Sequence, residues 1–121
     1  MKEMFVACEN ELIICGPVYL ADTFLKRLKG LMFKKSLADE EGLMFTKVSQ
    51  VHTCFMRFPI DVIYLDAGFR VLDVETLQPW RIGRKIQNCT NLLEVNKGLG
   101  SRFKYGMEVE IKCLDDSEVN S

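Results

Sequence analysis

One stretch, residues 60–76, decides the fold and reads IDVIYLDAGFRVLDVET. Its first six residues are apolar on both sides of an extended chain apart from Asp61, which predicts a strand buried on both faces. The segment Asp66-Ala67-Gly68 is a turn signal, because aspartate accepts backbone hydrogen bonds in turns and glycine adopts the backbone angles they need. Residues 69–76 then return as a second strand, so the stretch predicts an antiparallel hairpin.

Short apolar runs on either side of this hairpin predict more strands. Near the N-terminus, the polar segment Glu9-Asn10-Glu11 separates two such runs into a second hairpin, which Gly16-Pro17 is expected to end. The further predicted strands cover residues 5–8, 12–15, 43–45, 49–56, 92–95 and 107–114. Strands do not alternate regularly with helices, which favours one antiparallel or mixed sheet shaped as a barrel or sandwich.

One amphipathic helix is predicted after residue 21. Asp22 or Thr23 can cap its N-terminus by accepting hydrogen bonds from free backbone N–H groups. The apolar residues that recur at helical spacing are Phe24, Leu25, Leu28, Leu31 and Met32. The expected fold class is therefore mainly β (α+β), with one principal helix packed on the sheet. Residues 1–114 are expected to form a single domain and residues 115–121 a polar tail.

Charge and composition exclude several classes of protein. The chain has 16 basic and 17 acidic residues, and this balance disfavours nucleic acid as the main partner despite a local basic group at Arg81, Arg84 and Lys85. The five cysteines are odd in number and irregularly spaced, so neither a disulfide framework nor a zinc site is predicted. No membrane-spanning run and no signal peptide are recognised. A bacterial, cytoplasmic protein without a cofactor is expected.

Three stretches together resemble a known family. They are Ala21-Asp22-Thr23 with Arg27 and Gly30-Leu31-Met32, then Gly42-Leu43-Met44-Phe45, and then residues 52–66. This combination resembles domain of unknown function 192, and the resemblance extends from about residue 20 to residue 114. It implies a compact β-rich domain of bacteria and archaea with no agreed activity. Many members have Trp-Met-Lys-Asn-Thr where this chain has residues 52–56, so it resembles a histidine-containing branch.

Asp61 is the first candidate for a functional residue. Pro59 removes a ladder donor, which is expected to place the start of this strand at an edge of the sheet or at an entrance. A buried carboxylate needs a partner, and Arg27, Arg57 or backbone N–H groups could supply it. As an ion pair or a clamp on a turn, Asp61 would be structural. Beside a small groove, it would orient a ligand or act as an acid or base.

A second candidate group is the set His52, Cys54 and Met56, which would share one face of the strand predicted at residues 49–56. Imidazole, thiolate and thioether ligands suit a soft metal ion, but the sequence places no further ligand beside them. A nucleophilic Cys54–His52 pair would have poor hydrogen-bond reach along one strand and no orienting third group. No metal site is predicted.

Glu94 and Trp80 complete the candidate residues. Glu94 faces away from its apolar neighbours Leu93 and Val95, so it is expected to pair with a basic residue on the next strand or to join Asp61 and Arg27 in a polar cluster. Trp80 is expected either at the lip of a pocket or as a cap over one end of the barrel.

The leading hypothesis is a binding module that engages a small polar ligand or a protein partner through a groove near Asp61 and Arg27. Its candidate binding residues are Arg27, His52, Arg57, Asp61, Trp80 and Glu94. The first alternative is a hydrolase- or lyase-type enzyme that uses Asp61 with Glu94 or His52 as acid and base. The second alternative is a structural subunit of an assembly. No catalytic residue is assigned.

Overall fold

Seven strands form one sheet in the computed structural model of the protein, which describes residues 3–8, 11–21 and 41–113. The strands are β1 Glu3–Cys8, β2 Glu11–Ala21, β3 Gly42–Thr46, β4 Ile60–Leu65, β5 Val71–Leu77, β6 Asn91–Asn96 and β7 Glu110–Cys113. Their order across the sheet is β5-β4-β6-β3-β2-β1-β7. The β2–β3 pair is parallel and the other neighbours are antiparallel. The expected mainly β class is confirmed, and the sheet is mixed.

The hairpin predicted at residues 60–76 is confirmed as β4 and β5. The Asp66 carboxylate accepts hydrogen bonds from the backbone N–H groups of Gly68 and Arg70, both at 2.9 Å, and so fixes the turn. The N-terminal hairpin is confirmed as well, but β2 does not end at Gly16-Pro17. The β1–β2 register shifts beside these residues, and glycine and proline are tolerated in a strand at such irregularities.

The sheet is covered on both faces, as the apolar sequence of β4 predicted. We call the first face the loop-covered face. There, strand residues including Val62 and Tyr64 pack with Val51, Met56 and Cys89 from the long loops. We call the second face the turn-covered face. There, Ile63 and other strand residues pack with Phe103 and Val109, which follow β6 in the chain. β4 lies between β5 and β6, so of the two expectations for Pro59, a sheet edge or an entrance, the sheet edge is wrong. Pro59 precedes the first residue of β4 and therefore interrupts no ladder.

The strand predicted at residues 49–56 is also wrong. Within this segment only His52 makes a β-bridge, to Ile82, and Phe55 lies in a turn with a φ of 65°. The apolar residues Val51 and Met56 are buried because they anchor a loop onto the sheet. Buried apolar residues at intervals in a covering loop thus give a sequence pattern similar to the alternation of a half-buried strand, which explains the wrong prediction.

The C-terminal strand is shorter than predicted because the residues before it pair elsewhere. Arg70 and Glu108 form an isolated antiparallel bridge, and the Val71 N–H donates to the Met107 carbonyl at 2.8 Å. This contact brings the two ends of the sheet together, although β5 and β7 do not pair in the described ranges.

The predicted principal helix lies outside the described residues, as do Arg27 and the polar tail. In residues 3–8, 11–21 and 41–113, the single helical element is the 3-10 helix η1, Leu99–Arg102. None of the described helical structure is long and apolar enough to cross a membrane.

Candidate functional site

Asp61 holds a turn against the turn-covered face of the sheet. It is 4% exposed, and its Oδ1 accepts a hydrogen bond from the Thr76 hydroxyl at 2.6 Å. Its Oδ2 accepts the backbone N–H groups of Gly98 at 2.8 Å and Gly100 at 2.9 Å. A Cβ atom at Gly100 would lie 2.7 Å from both Asp61 Oδ2 and Val74 Cγ1, so this close approach requires glycine. The arrangement is that of a clamp, in which backbone N–H groups are the partners of the carboxylate.

The predicted polar cluster of Asp61 with Glu94 does not form. Glu94 lies opposite Val62 of β4, whereas Asp61 lies opposite Val95 of β6. Directly paired residues project to the same face, so the two carboxyl groups are on opposite faces of the sheet. His52 belongs to the loop that packs on the face opposite Asp61. The structure therefore brings neither acid–base pair together.

Glu94 is buried on the loop-covered face, where its paired neighbours are Val62 and Leu43. It is 3% exposed, and this burial raises the pKa of its carboxyl group to about 8. The neutral acid therefore predominates at pH 7. Glu94 faces away from Leu93 and Val95, as predicted, but the expected basic partner on the next strand is wrong, because its paired neighbours on both adjacent strands are apolar. Its enclosure was not predicted, since the covering segments are remote in sequence.

A hydrogen-bonded network that the sequence analysis missed fastens the loop at residues 78–90 to β5. The Tyr64 hydroxyl donates to Glu75 Oε1 at 2.7 Å, and the Arg84 backbone N–H donates to the same oxygen at 3.0 Å. Arg84 Nε donates to Glu75 Oε2 at 3.0 Å, and another guanidinium nitrogen lies 3.0 Å from Asp73. Asp73 and Glu75 alternate along β5 and therefore project to the same face. This spacing was the sequence signal that could have predicted a basic partner such as Arg84.

The pKa values of this network follow from its contacts. Burial is the largest cause that raises the pKa of Tyr64 well above its usual range, and the bond to Glu75 adds to it. Burial also opposes ionisation of Glu75. The hydrogen bonds from Arg84 and Tyr64 outweigh that effect and lower the pKa of Glu75. Glu75 is therefore an ionised structural anchor.

The loops expose three large apolar side chains, Phe55, Trp80 and Ile82, which we call the exposed apolar surface. The Phe55 and Trp80 rings are in contact, with centroids 4.7 Å apart and planes tilted by 58°. The exposed fractions are 46% for Phe55, 57% for Trp80 and 71% for Ile82. The two aromatic residues also have positive φ angles, 65° and 63°. Trp80 thus stands outside both core clusters, which disfavours the expected cap over one end of the barrel, and its expected place at the lip of a pocket stays a prediction.

Thr53 joins the two loops beneath this surface. Its buried hydroxyl donates to the Gln78 carbonyl at 2.6 Å and accepts the Arg81 N–H at 2.8 Å. The backbone adds two bonds, from the Thr53 N–H to the Arg81 carbonyl and from the Trp80 N–H to the Thr53 carbonyl. These bonds hold the backbones of the two loops together beside Phe55 and Trp80.

Thr53→Val is expected to lower the free energy of unfolding by about 1–3 kcal/mol. Valine keeps the shape of threonine but removes the buried hydroxyl that bonds to the Arg81 N–H and the Gln78 carbonyl. Urea denaturation measures the loss, and the emission of Trp80, the single tryptophan, reports the loosened loop. The matched control Thr90→Val alters an exposed threonine whose hydroxyl accepts a 3.2 Å bond from Asn91 Nδ2. This nitrogen keeps its bond to the Asp66 carbonyl, so the variant should stay within about 0.5 kcal/mol of wild type. Equal, small effects of both changes would contradict the role of Thr53.

The arrangement of His52, Cys54 and Met56 on one strand face is not formed. Met56 is buried and His52 is exposed, and His52 Nδ1 accepts a hydrogen bond from the Cys54 N–H at 3.2 Å. In the described part of the chain, no three histidine, cysteine, aspartate or glutamate residues are grouped so that they could hold a metal ion. Arg57 is exposed in the same loop, close in sequence to Phe55.

The fold defines a small β-rich domain, and sequence comparison assigns its family. The model of the DUF192 family, described as Uncharacterized ACR, COG1430, matches residues 9–111. A UPF0127 protein of the archaeon Pyrococcus horikoshii is 42% identical over 103 residues, which cover 80% of this chain and 87% of that protein. The chain belongs to the DUF192 family. The archaeal relative lends no support to the expected bacterial origin.

Two solved structures share the fold. A protein of unknown function from Novosphingobium aromaticivorans has a TM-score of 0.74 and 26% identity, with 89% of this chain and 83% of that chain covered. A protein from Sinorhizobium meliloti has a TM-score of 0.70 and 18% identity, with 90% and 92% covered. The second similarity concerns the fold alone.

Proposed function

We propose that this protein is a non-catalytic binding module that engages a protein partner through the exposed apolar surface. The observation that carries the proposal is the pair Phe55 and Trp80, whose rings are exposed while both backbones have positive φ. Each feature is unfavourable by itself, since large apolar side chains favour burial and bulky residues disfavour the left-handed region. Strain of this kind persists where surrounding contacts impose it, and it is concentrated at functional sites.

The bonds of Thr53 explain how these contacts impose the geometry. They hold both loops in place before any partner binds, so little conformational entropy is lost on binding. Tryptophan, together with arginine, is enriched among the residues that dominate the energy of protein interfaces. Trp80 supplies such an anchor, and Arg57 and Arg81 lie beside the surface in sequence.

The proposal moves the binding site away from the groove expected at Asp61. Three donors of the protein itself already occupy the Asp61 oxygens. Of the residues considered from the sequence, His52, Arg57 and Trp80 belong to the proposed site, whereas Asp61 and Glu94 do not. The enzyme alternative receives less support, because Asp61 shares a face with neither Glu94 nor the loop of His52.

Selection from a phage-displayed library of random peptides tests the proposal. We expect the immobilised full chain to enrich peptides that bind Trp80→Ala at least about tenfold more weakly than wild type, because truncating an interface anchor costs about 2 kcal/mol. Fluorescence polarisation measures the affinities. Tyr105→Ala is the matched control, since Tyr105 is an aromatic residue that is 83% exposed outside this surface, and it should leave affinity unchanged.

Two outcomes would contradict the proposal. One is a selection that enriches no peptide above the naive library. The other is a set of peptides that bind wild type and Trp80→Ala equally. Thermal denaturation of both variants shows that any loss of binding is not a loss of folding, because an exposed side chain contributes little to stability.

A further inference from the structure

We infer that the partner segment is acidic, with an apolar side chain seated on the exposed apolar surface and aspartate or glutamate residues on either side. This inference rests on the proposed function and adds the chemical class of the partner.

The charge of the two loops carries the inference. Residues 47–58 and 78–90, which contain the exposed apolar surface, include no aspartate or glutamate. Their basic residues are Lys47, Arg57, Arg81, Arg84 and Lys85. The chain as a whole has a net charge of −1, whereas these two segments have only basic charged residues, so the layer that covers one face of the sheet is locally positive. A local field of this sign attracts acidic partners even when the whole molecule is nearly neutral.

All five of these basic side chains are exposed. Arg84 is neutralised within the protein, because it pairs with Asp73 and Glu75 at 3.0 Å. Arg57 and Arg81 lie closest in sequence to the apolar residues, one on each loop. They are placed to act as a charged rim around an apolar centre, which is the usual arrangement of a protein interface.

The shape of the surface favours a polypeptide over a single-stranded nucleic acid. Nucleic acid would require flat aromatic faces on which successive bases stack. The Phe55 and Trp80 planes are tilted by 58°, and the most exposed member, Ile82, is aliphatic. An aliphatic or aromatic side chain of a peptide can fill the angle between such groups, and carboxylates on either side can reach the arginines.

The peptides from the selection described above test the inference directly. We expect the Trp80-dependent peptides to contain more aspartate and glutamate than the naive library, next to an apolar residue. The double variant Arg57→Glu with Arg81→Glu should bind a representative peptide about tenfold more weakly at low salt, and the difference should shrink near 0.5 M salt. The double variant Arg70→Glu with Lys104→Glu is the matched control. It makes the same change in net charge at exposed residues outside the two loops.

The outcomes separate the inference from the proposed function. Trp80-dependent peptides that are neutral or basic would overturn the inference and leave the binding module intact. Equal weakening by the two double variants would also overturn it, because the effect would then follow net charge alone. A fluorescent oligothymidylate that binds in a Trp80-dependent way, more tightly than the peptides, would also overturn the inference, because the preferred partner would then be a nucleic acid. Absence of any Trp80-dependent peptide counts against the proposed function itself.

Discussion

The wild-type protein is expected to lose stability as the pH rises from about 5 to 8, and Glu94→Gln is expected to abolish this loss. Burial raises the pKa of Glu94 from an ordinary value of 4.5 to about 8. Between these values the unfolded chain has an ionised carboxylate while the folded protein keeps its proton. The folded state therefore binds more protons, and stability falls as the pH increases, by about 1.4 kcal/mol for each pH unit.

The sign of this effect fixes its pH window. The stabilisation is fully present below the unfolded pKa of 4.5 and is lost as the pH rises through the folded pKa of about 8. Glutamine is neutral at every pH in this range, so Glu94→Gln should resemble wild type near pH 5. It should exceed wild type by about 3 kcal/mol near pH 7.

Urea denaturation at several pH values between 5 and 8 measures both slopes. Glu108→Gln is the matched control, because Glu108 is exposed, and its curve should follow that of wild type. If the stability of Glu94→Gln depended on pH as that of the wild type does, the conclusion that Glu94 is protonated in the folded protein would be wrong.

Asp61→Ala is expected to lower the free energy of unfolding by about 3–5 kcal/mol. Alanine removes the acceptor of the Thr76 hydroxyl and of the Gly98 and Gly100 N–H groups. The bond from the Gly100 N–H is buried and those from Thr76 and Gly98 are partly buried, so the donor at Gly100 in particular keeps its desolvation cost when it is unsatisfied. Asp61→Asn should lose less, since an amide oxygen can still accept both glycine N–H groups while its nitrogen donates to Thr76.

Chemical denaturation ranks the three proteins, and Asp73→Ala is the control. Asp73 is another acid of the same hairpin, but its side chain is partly exposed and its partner is a solvent-exposed arginine, so its loss should cost about 1 kcal/mol or less. An Asp61→Ala protein as stable as the control would show that the clamp contributes little. The carboxylate would then be available for a ligand, as the hypothesis of an Asp61 groove required.

The two acids illustrate what could be predicted for the site. Their apolar neighbours showed that Asp61 and Glu94 lie on strands that are buried. Whether they meet depends on the register of β4 against β6, and this pairing sets residues more than 30 positions apart side by side. Periodicity within one strand cannot supply that register. The exposed apolar surface was predicted only in part for a related reason, since Trp80 was a candidate binding residue at the lip of a pocket or a cap over the barrel, whereas Phe55 lay in a predicted strand.

By itself the sequence determined the family resemblance, the β-rich class and both hairpins. Turn chemistry and apolar runs act over a few residues, as the bonds of Asp66 across the β4–β5 turn show. Only the tertiary structure decided that residues 49–56 form a covering loop, that Asp61 clamps a turn and that Glu94 is enclosed. These features depend on contacts between distant segments, such as Thr53 with Arg81 and Asp61 with Gly100, whose formation requires the folded sheet.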